Sequence, residues 1–201
     1  KDSMIASNSS KNEKPIAEIK DLTVFLDQMN FFNKEKMSIT EVIIDNANFS
    51  LLGNNLKLLN DSTNYKFSNK KIIIKKSNIF LKNNLDEITT IIKVNKANFF
   101  FNEKKLQNQF DIKGNIFTTP FIFKLKTKND LFIEKKFLFK TKTLNLEIFN
   151  NHIIKKNNST IGNNIITFLN SSIESEYEFT DKKIIFTSKN SRIHSSKINY
   201  D

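Results

Sequence analysis

One spacing of apolar residues recurs along this chain and limits what it can fold into. It consists of two alternate residues, a three-residue step, then three alternate residues. It is clearest at Val42, Ile44, Ala47, Phe49 and Leu51, at Ile72, Ile74, Ser77, Ile79 and Leu81, and at Ile92, Val94, Ala97, Phe99 and Phe101. Alternation with a period of two is the signature of a strand with one apolar face. An odd step would flip that face unless a bulge or a turn absorbs one residue. These copies share a small-Asn-apolar centre, Ala47-Asn48-Phe49, Ser77-Asn78-Ile79 and Ala97-Asn98-Phe99. Asn tolerates positive φ, which suits a bulge or turn at each switch. Looser copies begin at Gly114, Phe139 and Ile166. Successive starts lie roughly 20 to 30 residues apart, a spacing of stacked repeats.

The same spacing decides the first segment, from Pro15. Ile19, Leu22, Phe25, Leu26 and Met29 would suit an amphipathic helix, but Ala17 and Ile19 followed by Leu22, Val24 and Leu26 repeat the strand pattern. A bulged strand or a tight strand pair is therefore the reading. Residues 1–14 are polar and without period, which predicts a tether. Asp27 and Asn54 or Asn55 can cap short turns over Gln28–Phe32 and Leu56–Asn60. Asn83-Asn84-Leu85-Asp86 and Lys128-Asn129-Asp130 are hairpin candidates, and Asn157–Asn164 reads as a loop around Gly162. Ile173, Ser175, Tyr177 and Phe179 alternate with Glu174, Glu176 and Glu178, giving one half-buried and one acidic face. Ser191–Tyr200 reads as the final strand. The expectation is an all-β fold, a mainly antiparallel, repetitive, curved sheet with one or two short helices, in a single domain over 15–201. Lys1 and Asp201 are read as the ends of a segment of a longer protein.

The chain has no Cys, so disulfides and thiolate metal sites are excluded, and three Gly in 201 residues leave no glycine-rich phosphate loop. The two histidines, His152 and His194, are far apart and read as surface residues. Glu174, Glu176 and Glu178 read as a solvated face rather than a cation site. No nucleophile with a base and no metal cluster is legible, so the chain reads as a non-enzyme with no cofactor and no metal. The net charge of +11 raises nucleic acid or an anionic surface as partners. Against nucleic acid stands the near absence of arginine, the residue suited to bidentate phosphate and base contacts; Arg192 is isolated. The lysine excess accompanies an excess of Asn and Ile, as in an AT-rich coding sequence.

The remaining signal is apolar area. In Phe121-Ile122-Phe123, Phe137-Leu138-Phe139 and Ile72-Ile73-Ile74 both sheet faces carry apolar side chains. Such a sheet is either covered on both sides, as in a β-sandwich, or offers one face to a hydrophobic ligand.

The stretches MSITEVIIDNANFSL (37–51), KIIIKKSNIFLKNN (71–84) and TIIKVNKANFFFNEKKL with FDIKGNIFTTPFIFKL (90–125) resemble the AsmA-like family of Gram-negative envelope proteins. That family belongs to the repeating β-groove, bridge-like lipid-transfer superfamily. The resemblance would span Pro15–Tyr200 and lacks the family's N-terminal membrane helix. It implies a curved sheet in the periplasm whose apolar concave face holds phospholipid acyl chains for envelope maintenance. It further implies an inner-membrane anchor outside this segment and neighbouring β repeats as partners. The lining would comprise Phe49, Ile79, Leu81, Phe99, Phe101, Phe121, Phe123, Phe137 and Phe139. A one-residue register error would invert the list. The competing readings are a structural or adhesion β-solenoid closed by its own side chains and a basic module for nucleic acid or an anionic surface.

Overall fold

The structure is a computed structural model, and it describes residues 3–5, 16–27, 37–53, 61–155, 159–180, 183–194 and 196–200. All its strands lie in one open, curved, thirteen-stranded sheet, whose order follows the chain from β1 to β13. The N-terminal part contains β1 (Ser3–Ile5), β2 (Ala17–Leu26), β3 (Ile39–Leu52), β4 (Lys71–Lys82) and β5 (Ile88–Asn102). Then follow β6 (Gln107–Ile116), β7 (Thr119–Asn129), β8 (Ile133–Thr141) and β9 (Leu146–Ile154). The last are β10 (Thr160–Phe168), β11 (Ser171–Phe179), β12 (Ile184–Ile193) and β13 (Ser196–Tyr200). Helical residues among those described are Gly53, Asp61 and Ser62. No helix of the described residues is long and apolar enough to cross a membrane.

The recurring three-residue step has two structural meanings. In β2, β3, β4 and β5 it is a bulge. Lys20 and Asn46 both drop out of the β2–β3 register, and Lys76 and Asn95 both drop out of the β4–β5 register. Asn46 and Lys76 have φ of 54° and 44°. Because β3 and β4 also run in register, Asp45 against Lys75 and Asn48 against Asn78, the four bulges line up as a crease across the sheet. Bulges bend strands and increase their twist, so the crease is where the sheet folds over. The small residues of the motif sit beside it on one face, where Ala47, Ser77 and Ala97 are all at most 2% exposed. Ser77 Oγ accepts a hydrogen bond from the Ala47 amide at 3.0 Å and donates to the Lys75 carbonyl at 2.6 Å, replacing ladder bonds that the bulges break.

In the looser copies from Gly114 and Ile166 the step is a hairpin turn. Phe117-Thr118 and Leu169-Asn170 are two-residue loops between the pairs Ile116–Thr119 and Phe168–Ser171. Their first residues have φ of 54° and 51°, as type II′ turns require at that position. A two-residue loop and a one-residue bulge generate the same three-residue step between residues on one face.

The sheet is mainly antiparallel, as expected; the exception is the parallel pair β3 and β4, with residues 53–70 between them in the chain. Other sequence expectations are corrected. The described residues form a single open layer, neither a sandwich nor a closed solenoid. Ser3–Ile5, expected in a tether, pairs with β2. Gly162–Asn164, expected in a loop, are within β10, and the final strand breaks at His194, where φ is 53°. The hairpin expected at 128–130 turns at 130–132 instead, whereas the one at 83–86 is found between β4 and β5. The capped turns over 28–32 and 56–60 lie outside the described residues.

Candidate functional site: an apolar lane on the enclosed face

Directly paired residues share a sheet face, so the register assigns every side chain. The face bearing Ala47 and Phe121 is here called inner. Among described residues, every buried strand residue except Ile73 is on it. A single layer has no second layer to exclude water, so this asymmetry marks the inner face as the one round which the sheet curls.

One lane of the inner face is apolar without interruption over ten strands. It runs from Leu22 through Ile44, Ile74, Ala97 and Ile112 to Phe123. It continues through Phe139, Ile148 and Ile166 to Ile173 on β11. At about 4.8 Å per strand the lane is roughly 43 Å long. The next lane is apolar from Val24 to Phe137, then turns polar at Asn150, Asn164 and Ser175. Rings interlock across adjacent lanes: Phe99 stacks on Phe110 at 4.1 Å, Phe110 meets Phe123 edge-on at 5.8 Å, and Phe121 stacks on Phe139 at 5.7 Å.

All nine residues expected to line a groove fall on this face. Phe123 and Phe139 are in the unbroken lane, Phe99 and Phe137 are in the neighbouring lane, and Phe121 follows Gly114 on the other side. Phe49 and Ile79 pair with each other, as do Leu51 and Leu81, farther towards the strand ends. Phe101 lies opposite Asn108, at the margin where apolar residues give way to polar ones. The sequence reading missed Phe110, Ile112, Leu125, Ile148 and Ile166. The unbroken alternation of Phe110, Ile112, Gly114 and Ile116 was the signal available for the first two.

The polar margin is tied to the crossover that the parallel pair demands. Residues 61–70 lie over the inner-face ends of β5 to β8 as a strap. Asn108 grips it three times, donating to the Thr63 and Tyr65 carbonyls at 2.9 and 2.6 Å and accepting from the Phe67 amide at 2.9 Å. Lys135 Nζ donates to Thr63 Oγ1 at 3.0 Å, and Lys66 stands 4.5 Å over the Phe101 ring. Recesses of about 250 Å³ (Phe67, Ile72, Ile74 and Phe99 among its walls) and about 400 Å³ (Lys66, Phe101 and Thr127) flank the strap. A larger one, about 550 Å³, is walled mainly from the outer face by Asn151, Ile153, Ile161, Asn163, Glu176 and Ile185.

His152 is not the surface residue expected. It sits on the inner face opposite Lys135 and Gly162, with Nδ1 2.7 Å from Asn150 Oδ1. Asn150 Nδ2 in turn donates to Tyr177 Oη at 2.7 Å and to Asn164 Oδ1. A Cβ on Gly162 would stand 2.6 Å from Tyr177 Oη, so glycine is what lets the tyrosine reach across β10. Burial, then the neighbouring Lys135, lowers the His152 pKa from 6.5; burial also lowers that of Lys135, with Asp61 opposing. A histidine whose folded pKa is depressed contributes stability above its unfolded value, lost as pH falls through the folded one. Urea stability measured against pH should therefore fall on acidification below about 6.5 in the wild type. His152→Gln should remove that part of the slope.

Among the described residues no group of three or more His, Cys, Asp or Glu could hold a metal ion. No family model, curated protein or solved structure matches this chain.

Proposed function

We propose that this protein is a non-catalytic β-groove that binds phospholipid by its acyl chains and conducts it along the sheet. The observation that carries the reading is the unbroken apolar lane, enclosed by curvature yet covered by no second layer among the described residues. A monomeric soluble fold leaves few contiguous apolar surfaces of this extent without a use for them. An acyl chain laid along it gains about 0.8 kcal/mol per buried CH₂, with no need for a specific polar contact. The resemblance to AsmA-like proteins supports the same reading and extends it to the periplasm of a Gram-negative bacterium, between the two membranes.

Native mass spectrometry with organic extraction of the purified protein tests this. Wild type should carry phospholipid, and Phe99→Asp with Phe121→Asp should reduce it at least about tenfold while circular dichroism stays β-rich. Phe121 is largely buried, so Phe123→Asp in the unbroken lane is a second probe should the double variant unfold. A folded, lipid-free wild type that also rejects fluorescent phospholipid would overturn the reading in favour of a structural sheet.

A further inference from the structure

The outer face carries a charge arrangement that strand pairing does not favour. Lys96 of β5 lies directly opposite Lys75 of β4 on one side and Lys113 of β6 on the other. Lys126 of β7 lies directly opposite Lys136 of β8. Like charges at opposed positions destabilise a sheet. Some relief comes from the flanks: Asp45 is opposite Lys75, Asp111 is opposite Lys124, and Glu134 is 2.8 Å from Lys136. Lys96 and Lys113 have no carboxylate directly opposite on either side. A coding bias explains how many lysines the chain has, but not their stacking against one another. The inner face of β4 to β8 has a single lysine, the buried Lys135, whereas Lys96, Lys113, Lys126 and Lys136 are exposed.

We infer that the outer face of β4–β8 docks on an anionic lipid bilayer, with Lys75, Lys96, Lys113, Lys126 and Lys136 facing the lipid phosphates. Charge complementarity selects the partner. The lysines spread over five strands, about 20 Å, so they form a two-dimensional array that meets many mobile charges at once. Ammonium groups act as point charges and make no demand on orientation, which suits fluid headgroups. A nucleic-acid surface would favour planar guanidinium groups and stacking aromatics. Here arginine is missing, and no aromatic residue is directly opposite any of the five lysines. An anionic surface would also relieve the repulsion within the ladder. The inference concerns the opposite face from the acyl lane and does not rest on the groove reading.

The test is co-sedimentation with vesicles of phosphatidylcholine alone or with about 30% phosphatidylglycerol, with a single-stranded oligonucleotide as the second ligand. The variants are Lys75→Gln/Lys96→Gln/Lys113→Gln and a control with the same charge loss in turns, Lys104→Gln/Lys105→Gln/Lys155→Gln. Wild type and control should bind the anionic vesicles only, and bind less as salt rises. The ladder variant should lose binding on the order of a hundredfold, from about tenfold or less per lysine. It should also melt no lower than wild type, because it relieves repulsion. Equal binding to neutral vesicles, equal loss in the control, or no vesicle binding would overturn the inference. Oligonucleotide binding at salt concentrations that release the vesicles would overturn it in favour of nucleic acid.

Discussion

Gly114→Ala should lower the unfolding free energy by about 3 kcal/mol, the upper end of what overpacking costs. Gly114 faces Val94 on β5 just where Asn95 is the extra residue against β6. The crease ends there: β2 to β5 share the bulge, and β6 does not. The β5 backbone is pushed towards its neighbour, and a Cβ on Gly114 would stand 2.1 Å from the Lys93 carbonyl oxygen. The Phe121 ring at 3.3 Å closes the other side. A backbone carbonyl in a ladder cannot swing away as a side chain can, so the strain must distort the strand pair. Gly53, with nothing within 4 Å of a built Cβ, is the control. Urea melts of both variants decide the matter: equal midpoints would mean that β5 does not crowd β6 at that point.

Asn108→Ala should cost a similar amount, about 3 kcal/mol, by releasing the strap. Three hydrogen bonds converge on this side chain, which is 5% exposed, and each strap group it satisfies would be left without that partner. Hydrogen exchange gives a local readout that a global melt does not. The Phe67 amide, which donates to Asn108 Oδ1, should exchange faster in the variant than the amides of β10 and β11. Asn129→Ala removes only a bond to the Asn64 carbonyl at 2.7 Å in an exposed setting, and should cost about 1 kcal/mol or less. If both substitutions proved equally mild, Asn108 would not be the strap's anchor.

These two sites show how far sequence reasoning reaches in such a chain. The alternation of Val42, Ile44, Ala47, Phe49 and Leu51 yields a strand, a bulge and an inward face from local sterics alone, and the structure agrees with it. Its Asn-centred repetition was legible as well, but not its meaning, since alignment of bulges into a crease depends on which strands become neighbours. The same limit hid the parallel pair. Nothing in residues 53–70 distinguishes a crossover from a long hairpin loop. His152 looked like a surface residue because Lys135, which lies opposite it, and Tyr177, to which its neighbour Asn150 donates, are polar residues of other strands. Only register brings them to one place. The nine residues expected to line a groove share one sheet face because each belongs to an alternating run whose phase Phe99, Phe121 and Phe137 fix for themselves.

The parallel pairing of β3 and β4 also bears on how the chain reaches this state. From β5 to β13 each strand pairs with the one before it through a short connection, so those contacts close small loops. β2 and β3 likewise form an adjacent antiparallel pair. Joining the two parts requires Val42 to find Ile72 and Phe49 to find Ile79, always thirty positions apart. Loop closure over that separation must be completed before any of those contacts forms, and rates fall as such non-local contacts dominate. Assembly should therefore proceed as a fast zippering of the C-terminal strands followed by a slower docking of the N-terminal ones. The crease, which needs β2 to β5 side by side, is then the last feature of the groove to form.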